Sequence, residues 1–446
     1  MTGADSLRQL TVFGAGYLGT AHAACLAEMG FGVLGVDTCP GRVAALSSGQ
    51  LPFWEPGLTP LLRRAVNCGR LRFSTSYAEA ADFADVHFIC VGTPQLPGRL
   101  NADVSQLTAC VDELAPLLRR PSVVIGKSTC PVGTAARLAG RLASNSPAGP
   151  AAELAWNPEF LREGHAVADT LCPDRIVAGV RPGNAAAILR AIYARQLAAG
   201  VPFLVTDFAT AELVKVAANA FLATKISFIN AMGEVCEAAG ADVITLADAL
   251  GYDGRIGRAS LRPGAGFGGG CLPKDIRAFQ ARAAELGAGD ALSFLREIDA
   301  INLRSRSRIV ALARKMAGGS FAGRAVGVLG AAFKPDSDDV RDSPALDIAD
   351  SISQLGARVT VYDPAATASA WQAHPELAYA GSAVGAACDA DLLLVLTDWD
   401  EFADADPEVL GKAVTRRCVL DGRHVLDAAR WRAAGWAYRA PGRPQA

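Results

Sequence analysis

The chain predicts an α/β protein: two doubly wound, parallel-sheet lobes joined by a long-helix, all-α middle domain. Three observations predict it. An apolar strand, a glycine-rich turn, an Ala-rich helical stretch and a second strand ending in an acid follow one another over residues 10–37. The run 211–240 contains no proline and no glycine before Gly233, and its apolar residues recur at helical spacing. Beyond Ala322 strand-like segments return at the intervals of βαβ units.

The elements justify this in order. Leu10–Phe13 is the first strand, the helical stretch runs to Met29, and FGVLGVD is the second strand, ending at Asp37. Val86–Val91, Val123–Ile125 and Ile176–Val180 read as further strands; polar or Gly/Pro turns follow the first two. The helical run near 206–240 is too long for a crossover helix and reads as a spine between domains. More helix follows, broken by a glycine-rich loop at 264–270. GRAVGVLG, ARVTVYDP, ADLLLVLT and RCVLDGR then give the strands of the last lobe. The expected boundaries are 1–205, 206–318 and 319–446, with a mobile Pro-rich tail, APGRPQA.

With 446 residues, two to four domains are expected at roughly 100–200 residues each. Hydrophobic residues are 51% and charged residues 20%, which excludes a disordered chain. No stretch approaches the ~18 uninterrupted apolar residues of a membrane span. The opening MTGADSLRQL lacks a basic segment followed by an apolar core, so no signal peptide is expected. Net charge is −2, which gives no reason to expect nucleic acid or an acidic membrane as partner. The 11 cysteines include no C-x-x-C pair and the five histidines lack ligand spacing. A disulfide framework and a metal site are therefore not expected, and the cysteines suit a reducing, cytoplasmic setting.

Gly14-Ala15-Gly16-Tyr17-Leu18-Gly19 follows a strand, opens a helix and precedes Asp37 by 18 residues. That context, not the glycines alone, predicts a Rossmann-like dinucleotide site. Glycines let the backbone approach a pyrophosphate at the helix N-terminus, and Asp37 would accept from ribose hydroxyls. A carboxylate there repels a 2′-phosphate, so the expected cofactor is NAD. Arg42 is placed with this group. Thr93 and Thr129 lie in turns after strands, where ligand crevices form in doubly wound sheets, although each could be a plain turn residue.

Cys271 stands apart from the other cysteines, between the glycine loop and Pro273-Lys274-Asp275. A helix starting at Pro273 would put the thiol beside a helix N-terminus with Lys274 nearby, which favours a thiolate nucleophile. Lys215 and Asn219, spaced i, i+4, share one face of the long helix, as catalytic groups or as a solvated stripe. Glu159 and Glu163 would face one way if the segment after Pro158 were helical, for acid–base work or for helix-start charge.

The ordered set GAGYLG, VD, FWEPGL, VGTP, STCPVGT, NPEFLREG, AELVKVAANAFLATKISFIN, GAGFGGGCLPKD, FKPDSDDVRDSP and YDP resembles the UDP-glucose/GDP-mannose dehydrogenase family over about residues 10–430. The resemblance implies an NAD-binding first domain, a helical middle carrying the cysteine loop, and a last domain that binds the UDP of a nucleotide sugar. It implies a four-electron oxidation of a C6 alcohol to a carboxylate, with UDP-glucose as substrate. The same chemistry on GDP-mannose or a UDP-N-acetylhexosamine, or a two-electron 3-hydroxyacid-type dehydrogenase, are the alternatives.

By the same resemblance, Cys271 carries a thiohemiacetal and then a thioester, and Lys215 with Asn219 faces the oxyanion. Asp275 and Thr129 help place a water for which Glu159 is the base. Glu163, Lys274 and Arg341 line the cofactor. Phe160, Leu161, Arg162, Arg255, Phe267, Gly268, Gly270, Phe333, Lys334 and Arg423 line the nucleotide sugar. A homodimer through the helical middle is implied, with Arg255 reaching the site of the partner subunit. Four positions depart from the pattern: Gly270 replaces a Ser, Cys130 a Val, Leu272 an aromatic and Val216 a Tyr.

Overall fold

The computed structural model describes residues 8–444. The expectation of no signal peptide therefore falls largely outside the described residues. The chain divides into two compact units, Met1–Ala218 with Ala281–Leu286, and Asn219–Gln280 with Gly287–Ala446.

The first unit is built on eight strands: β1 (Gln9–Phe13), β2 (Gly32–Val36), β3 (Leu71–Ser74), β4 (Val86–Ile89), β5 (Ser122–Gly126), β6 (Ala152–Trp156), β7 (Ile176–Val180) and β8 (Phe203–Thr206). Their order is β3-β2-β1-β4-β5-β6-β7-β8. The first six are parallel, as the near-continuous Val/Ile/Leu runs demand of strands buried on both faces. β7 is antiparallel to β6, with Trp156 opposite Gly179, and β8 runs parallel to β7. Two apolar clusters fill the sheet's two faces, one around Leu10, Leu26 and Phe88, the other around Phe13, Val124 and Trp156.

The second unit contains β9 (Ala325–Leu329), β10 (Arg358–Tyr362), β11 (Ala378–Tyr379), β12 (Leu392–Val395), β13 (Cys418–Asp421) and β14 (Ala437–Arg439). Their order, β11-β10-β9-β12-β13-β14, reverses at β9, and every pair is parallel. The topology is that of a second Rossmann-like lobe.

The long helix is Phe208–Ala239, 32 residues and about 48 Å. The glycine loop leads into the helix Leu272–Glu285, and Phe294–Met316 is a further long helix. Among the described residues no helix is long and apolar enough to cross a membrane.

The tail differs from expectation. Gly442 N–H donates to Glu237 at 2.7 Å, Gly442 C=O accepts from Val243 N–H at 3.0 Å, and Arg443 pairs with Asp242 at 3.0 Å. Gly233 and Gly442 let the two backbones pass closely. Pro-rich composition alone does not reveal such bonds; the last two residues lie outside the described ones.

His22 and His87 are buried and His424 is half-buried, and burial favours the neutral form of all three. Burial, with Arg120 adding to it, pulls His87 down to about 3, and its Nδ1 bonds the Thr11 hydroxyl at 2.8 Å. Burial lowers His22 well below its usual value and takes His424 to about 4. A histidine whose folded pKa is depressed binds its proton only in the unfolded chain across that window. Its contribution is thus present above about 6.5 and is lost as pH falls toward 3. Glu212 and Asp421, pushed up by burial, act in the opposite sense. The stability gap between wild type and His87→Gln is therefore expected to narrow by up to about 1.4 kcal/mol per pH unit below 6.5. Urea midpoints from pH 7 to 4 check this; a constant gap contradicts it.

Candidate active site

In the first unit the turn after β1 is shaped by exclusion. Gly14 has φ +87°, and a Cβ on Gly19 would overlap the Gly14 carbonyl oxygen. Gly16, which caps the helix Tyr17–Glu28, has nothing within 4 Å of where its Cβ would be. That space lies at a helix N-terminus and fits a dinucleotide pyrophosphate. Asp37, 7% exposed, accepts from Ala15 N–H at 2.8 Å, from Cys39 N–H at 2.9 Å and from Arg42 at 2.9 Å. The acid at the end of β2 is thus tied to the phosphate turn. Thr93 donates from Oγ1 to the Thr129 carbonyl at 2.7 Å, which joins the two turns at the carboxyl ends of β4 and β5.

The segment after Pro158 is a loop, not a helix; helix begins only at Ala166. Glu159 and Glu163 are therefore not aligned by helical spacing. Instead Glu159 accepts from Leu161 N–H at 2.7 Å and pairs with Lys215 at 3.2 Å. Lys215 is only 5% exposed, and its ammonium lies 5.7 Å from the Phe160 ring centre. The Arg175 guanidinium covers that ring at 3.8 Å. The solvated-stripe reading of Lys215 and Asn219 fails, because both are buried.

In the second unit Asn219 donates to Asp275 at 2.6 Å, and Lys274 pairs with the other oxygen of the same carboxylate at 2.5 Å. Asp275 N–H donates to the Cys271 carbonyl at 3.0 Å, so Cys271 flanks the first turn of Leu272–Glu285 and is exposed. The preceding loop is buried and pinned. Asn302 accepts from Phe267 N–H at 2.7 Å, Gly269 N–H donates to the Arg341 carbonyl at 2.8 Å, and Arg423 donates to the Gly266 carbonyl at 2.9 Å. A Cβ on Gly268 would overlap Asp342 and one on Gly269 would crowd the Phe333 ring. The Lys334 ammonium lies 5.7 Å from that ring's centre. Burial lowers Arg423, as do Arg306 and Arg262, while Asp398 opposes them.

Models of the UDP-glucose/GDP-mannose dehydrogenase family match three stretches: the NAD-binding domain over 8–197, the central domain over 209–304 and the UDP-binding domain over 327–428. The chain belongs to that family. It is an NAD-dependent oxidoreductase. It is 38% identical over 441 residues to the UDP-glucose 6-dehydrogenase of Rhizobium meliloti, covering 98% of this chain and 100% of that protein. It is 38% identical over 452 residues to the one of Pseudomonas aeruginosa, covering 98% of each. The solved UDP-glucose dehydrogenase of Pyrobaculum islandicum superposes with a TM-score of 0.88 at 36% identity, covering 99% of this chain and 98% of that one.

Two residues that the resemblance gives to the sugar nucleotide are exposed and held by neighbouring aspartates in the single chain. Arg255 has a side chain 90% exposed, held by Asp253 at 2.6 Å. Arg162, 67% exposed, is held by Asp169 at 2.7 Å. Other residues do structural work that local pattern did not reveal. Glu212, 1% exposed, accepts from Gly133 N–H at 2.7 Å, from Ala135 N–H at 2.6 Å and from the Cys130 thiol at 3.4 Å. It anchors the loop that begins at Thr129. Arg306 donates to the Phe267 carbonyl at 3.0 Å and pairs with Asp342 at 2.8 Å and with Asp347. The signal for Arg306 and Asn302 was their i, i+4 spacing; for Glu212 it was an acid one turn before Lys215. Asp350, His374 and Glu376 bring one potential metal-ligand atom each within 4.8 Å of one another, a grouping common among exposed acidic groups.

Asp37→Ala is expected to raise KM for NAD about tenfold to a hundredfold, the range of a lost hydrogen bond to a charged group, and to narrow the preference over NADP. Steady-state kinetics with both cofactors checks this; unchanged preference contradicts it.

Proposed function

We propose that this chain oxidises UDP-glucose to UDP-glucuronate, with Cys271 as a covalent nucleophile. The observation that carries the reading is the exposed Cys271 at the amino end of Leu272–Glu285, one turn before the buried Asp275. The names of the relatives and the family's UDP-binding domain support the substrate. The same models support a division at about 205 and 318, close to the gaps between their matches.

Gly14–Gly19, Asp37 and Arg42 would hold the dinucleotide, with Thr93, Thr129, Glu163, Lys274 and Arg341 toward its reactive end. Each NAD, when bound, would accept a single hydride, so the two oxidations use two NAD in turn. In the first, the C6 hydroxyl proton leaves to Glu159 through a water, and Lys215 stabilises the alkoxide. Loss of hydride gives the aldehyde. The Cys271 thiolate then adds to the aldehyde carbon, and Lys215 and Asn219 donate to the resulting oxyanion. Collapse expels the second hydride and leaves a thioester. Glu159, having released its first proton to solvent, takes a proton from a water placed by Thr129 and Asp275. Hydroxide adds, the thiolate leaves, and the carboxylate is formed. Phe160, Leu161, Arg162, Phe267, Gly268, Gly270, Phe333, Lys334, Arg423 and Arg255 would hold the sugar nucleotide, the cations facing its diphosphate.

Two NADH per limiting UDP-glucose are expected with NAD in excess. One per sugar would stop the reaction at the aldehyde and remove Cys271 from its role; no NADH would move the substrate to another nucleotide sugar. Cys271→Ser is expected to lower kcat for carboxylate formation by ~10³-fold or more.

The reading includes a cytoplasmic homodimer. Phe221, Phe228 and Val235 recur every seven residues on the long helix and are 66%, 45% and 56% exposed. Such a stripe suits a second copy of the helix. Light scattering should give a dimer mass, and Phe221→Glu with Phe228→Glu should halve it; a monomeric wild type overturns this part.

A further inference from the structure

Glu55 lies in the FWEPGL segment, to which the proposed chemistry gives no task. Its carboxylate is buried, 4% exposed. Oε2 accepts from the Tyr17 hydroxyl and from Gly164 N–H at 2.7 Å; Oε1 accepts from Ala166 N–H at 2.7 Å. Gly164 N–H also reaches the Tyr17 oxygen at 3.0 Å. The Glu55 carbonyl accepts from Leu58 N–H at 3.2 Å, which fixes its backbone at the start of the helix Leu58–Asn67. The Tyr17 ring packs on Phe53 with centroids 5.0 Å apart.

These bonds join two segments that are far apart in sequence. Tyr17 is the first residue of the helix whose N-terminus fits the pyrophosphate. Gly164, at φ +80°, closes the loop that carries Glu159 and Glu163. Two main-chain amides and one phenol compensate a buried carboxylate, so loss of any donor leaves charge poorly solvated. The phenol stays protonated, because burial and the Glu55 hydrogen bond both push it up. The tie therefore persists across the working pH range.

We propose that Glu55 is a positioning residue that couples the cofactor turn to the loop 157–165. A pyrophosphate seated on the turn fixes the Tyr17 backbone. Through Glu55 this fixes Gly164 and Ala166, and with them the loop assigned to the sugar. The ordering cost of the loop is then met when the dinucleotide binds, so the sugar nucleotide binds more tightly afterwards, and the converse holds by linkage. The inference rests on the proposed assignment of that loop to the substrate.

The test is a pair of titrations of the full chain with UDP-glucose, one without cofactor and one saturated with NADH, which cannot oxidise the sugar. Wild type is expected to bind about tenfold more tightly with NADH, within the usual range of coupling between sites. Tyr17→Phe keeps the ring and the main-chain amide but removes the hydroxyl donor. It is expected to bring the ratio to within about twofold of unity while its melting midpoint stays within about 4 °C of wild type. Glu55→Gln should do the same; if it fails to fold, Tyr17→Phe decides. A wild-type ratio near one, or a Tyr17→Phe protein that keeps the wild-type ratio, overturns the proposal, the latter whatever its melting midpoint. If UDP-glucose does not bind wild type in either state, the substrate reading fails, and the same titrations with GDP-mannose decide the coupling.

Discussion

Three buried polar side chains on one helix set the terms for much of this molecule. Glu212, Lys215 and Asn219 fall at intervals of three and four along Phe208–Ala239, and each is nearly inaccessible. Burying a carboxylate, an ammonium and an amide on an apolar helix is costly unless each finds a partner. Glu212 finds the amides of Gly133 and Ala135, Lys215 finds Glu159, and Asn219 finds Asp275. A structural requirement, the satisfaction of buried groups, thereby fixes the residues to which the chemistry is assigned.

Both units hold their loops by side chains of either charge: Asp363 accepts from Ala331 and Ala332 N–H in the second, and Arg120 donates to the Ala81 and Ala84 carbonyls in the first. In the first, buried carboxylates also grip main-chain amides, as Glu55 does at Gly164 and Ala166 and Glu212 does at Gly133 and Ala135. In the second, arginines also grip main-chain carbonyls, as Arg306 does at Phe267 and Arg423 does at Gly266.

Much of this was legible in the sequence. The glycine turn, the acid at Asp37, the long helix, both parallel lobes and the place of Cys271 beside a helix start rest on local pattern, and local pattern is what periodicity and turn chemistry encode. What was not legible depends on partners distant in the chain. The reversed direction of β7 follows from sheet pairing, the loop form of 157–165 from its remote tethers, and the bound tail from Glu237, Val243 and Asp242.

Gly270 departs from the family pattern, and its surroundings say why the departure has company. A Cβ there would occupy the volume taken by the Arg341 guanidinium, which is seated on Asp339 at 2.7 Å. The obstacle is the far end of a flexible side chain rather than backbone, so the two positions trade space with each other. Positions 270 and 341 thus form one unit of variation. A larger residue at 270 alone would displace the Arg341 guanidinium, so its cost would be read where Arg341 acts and not in the fold.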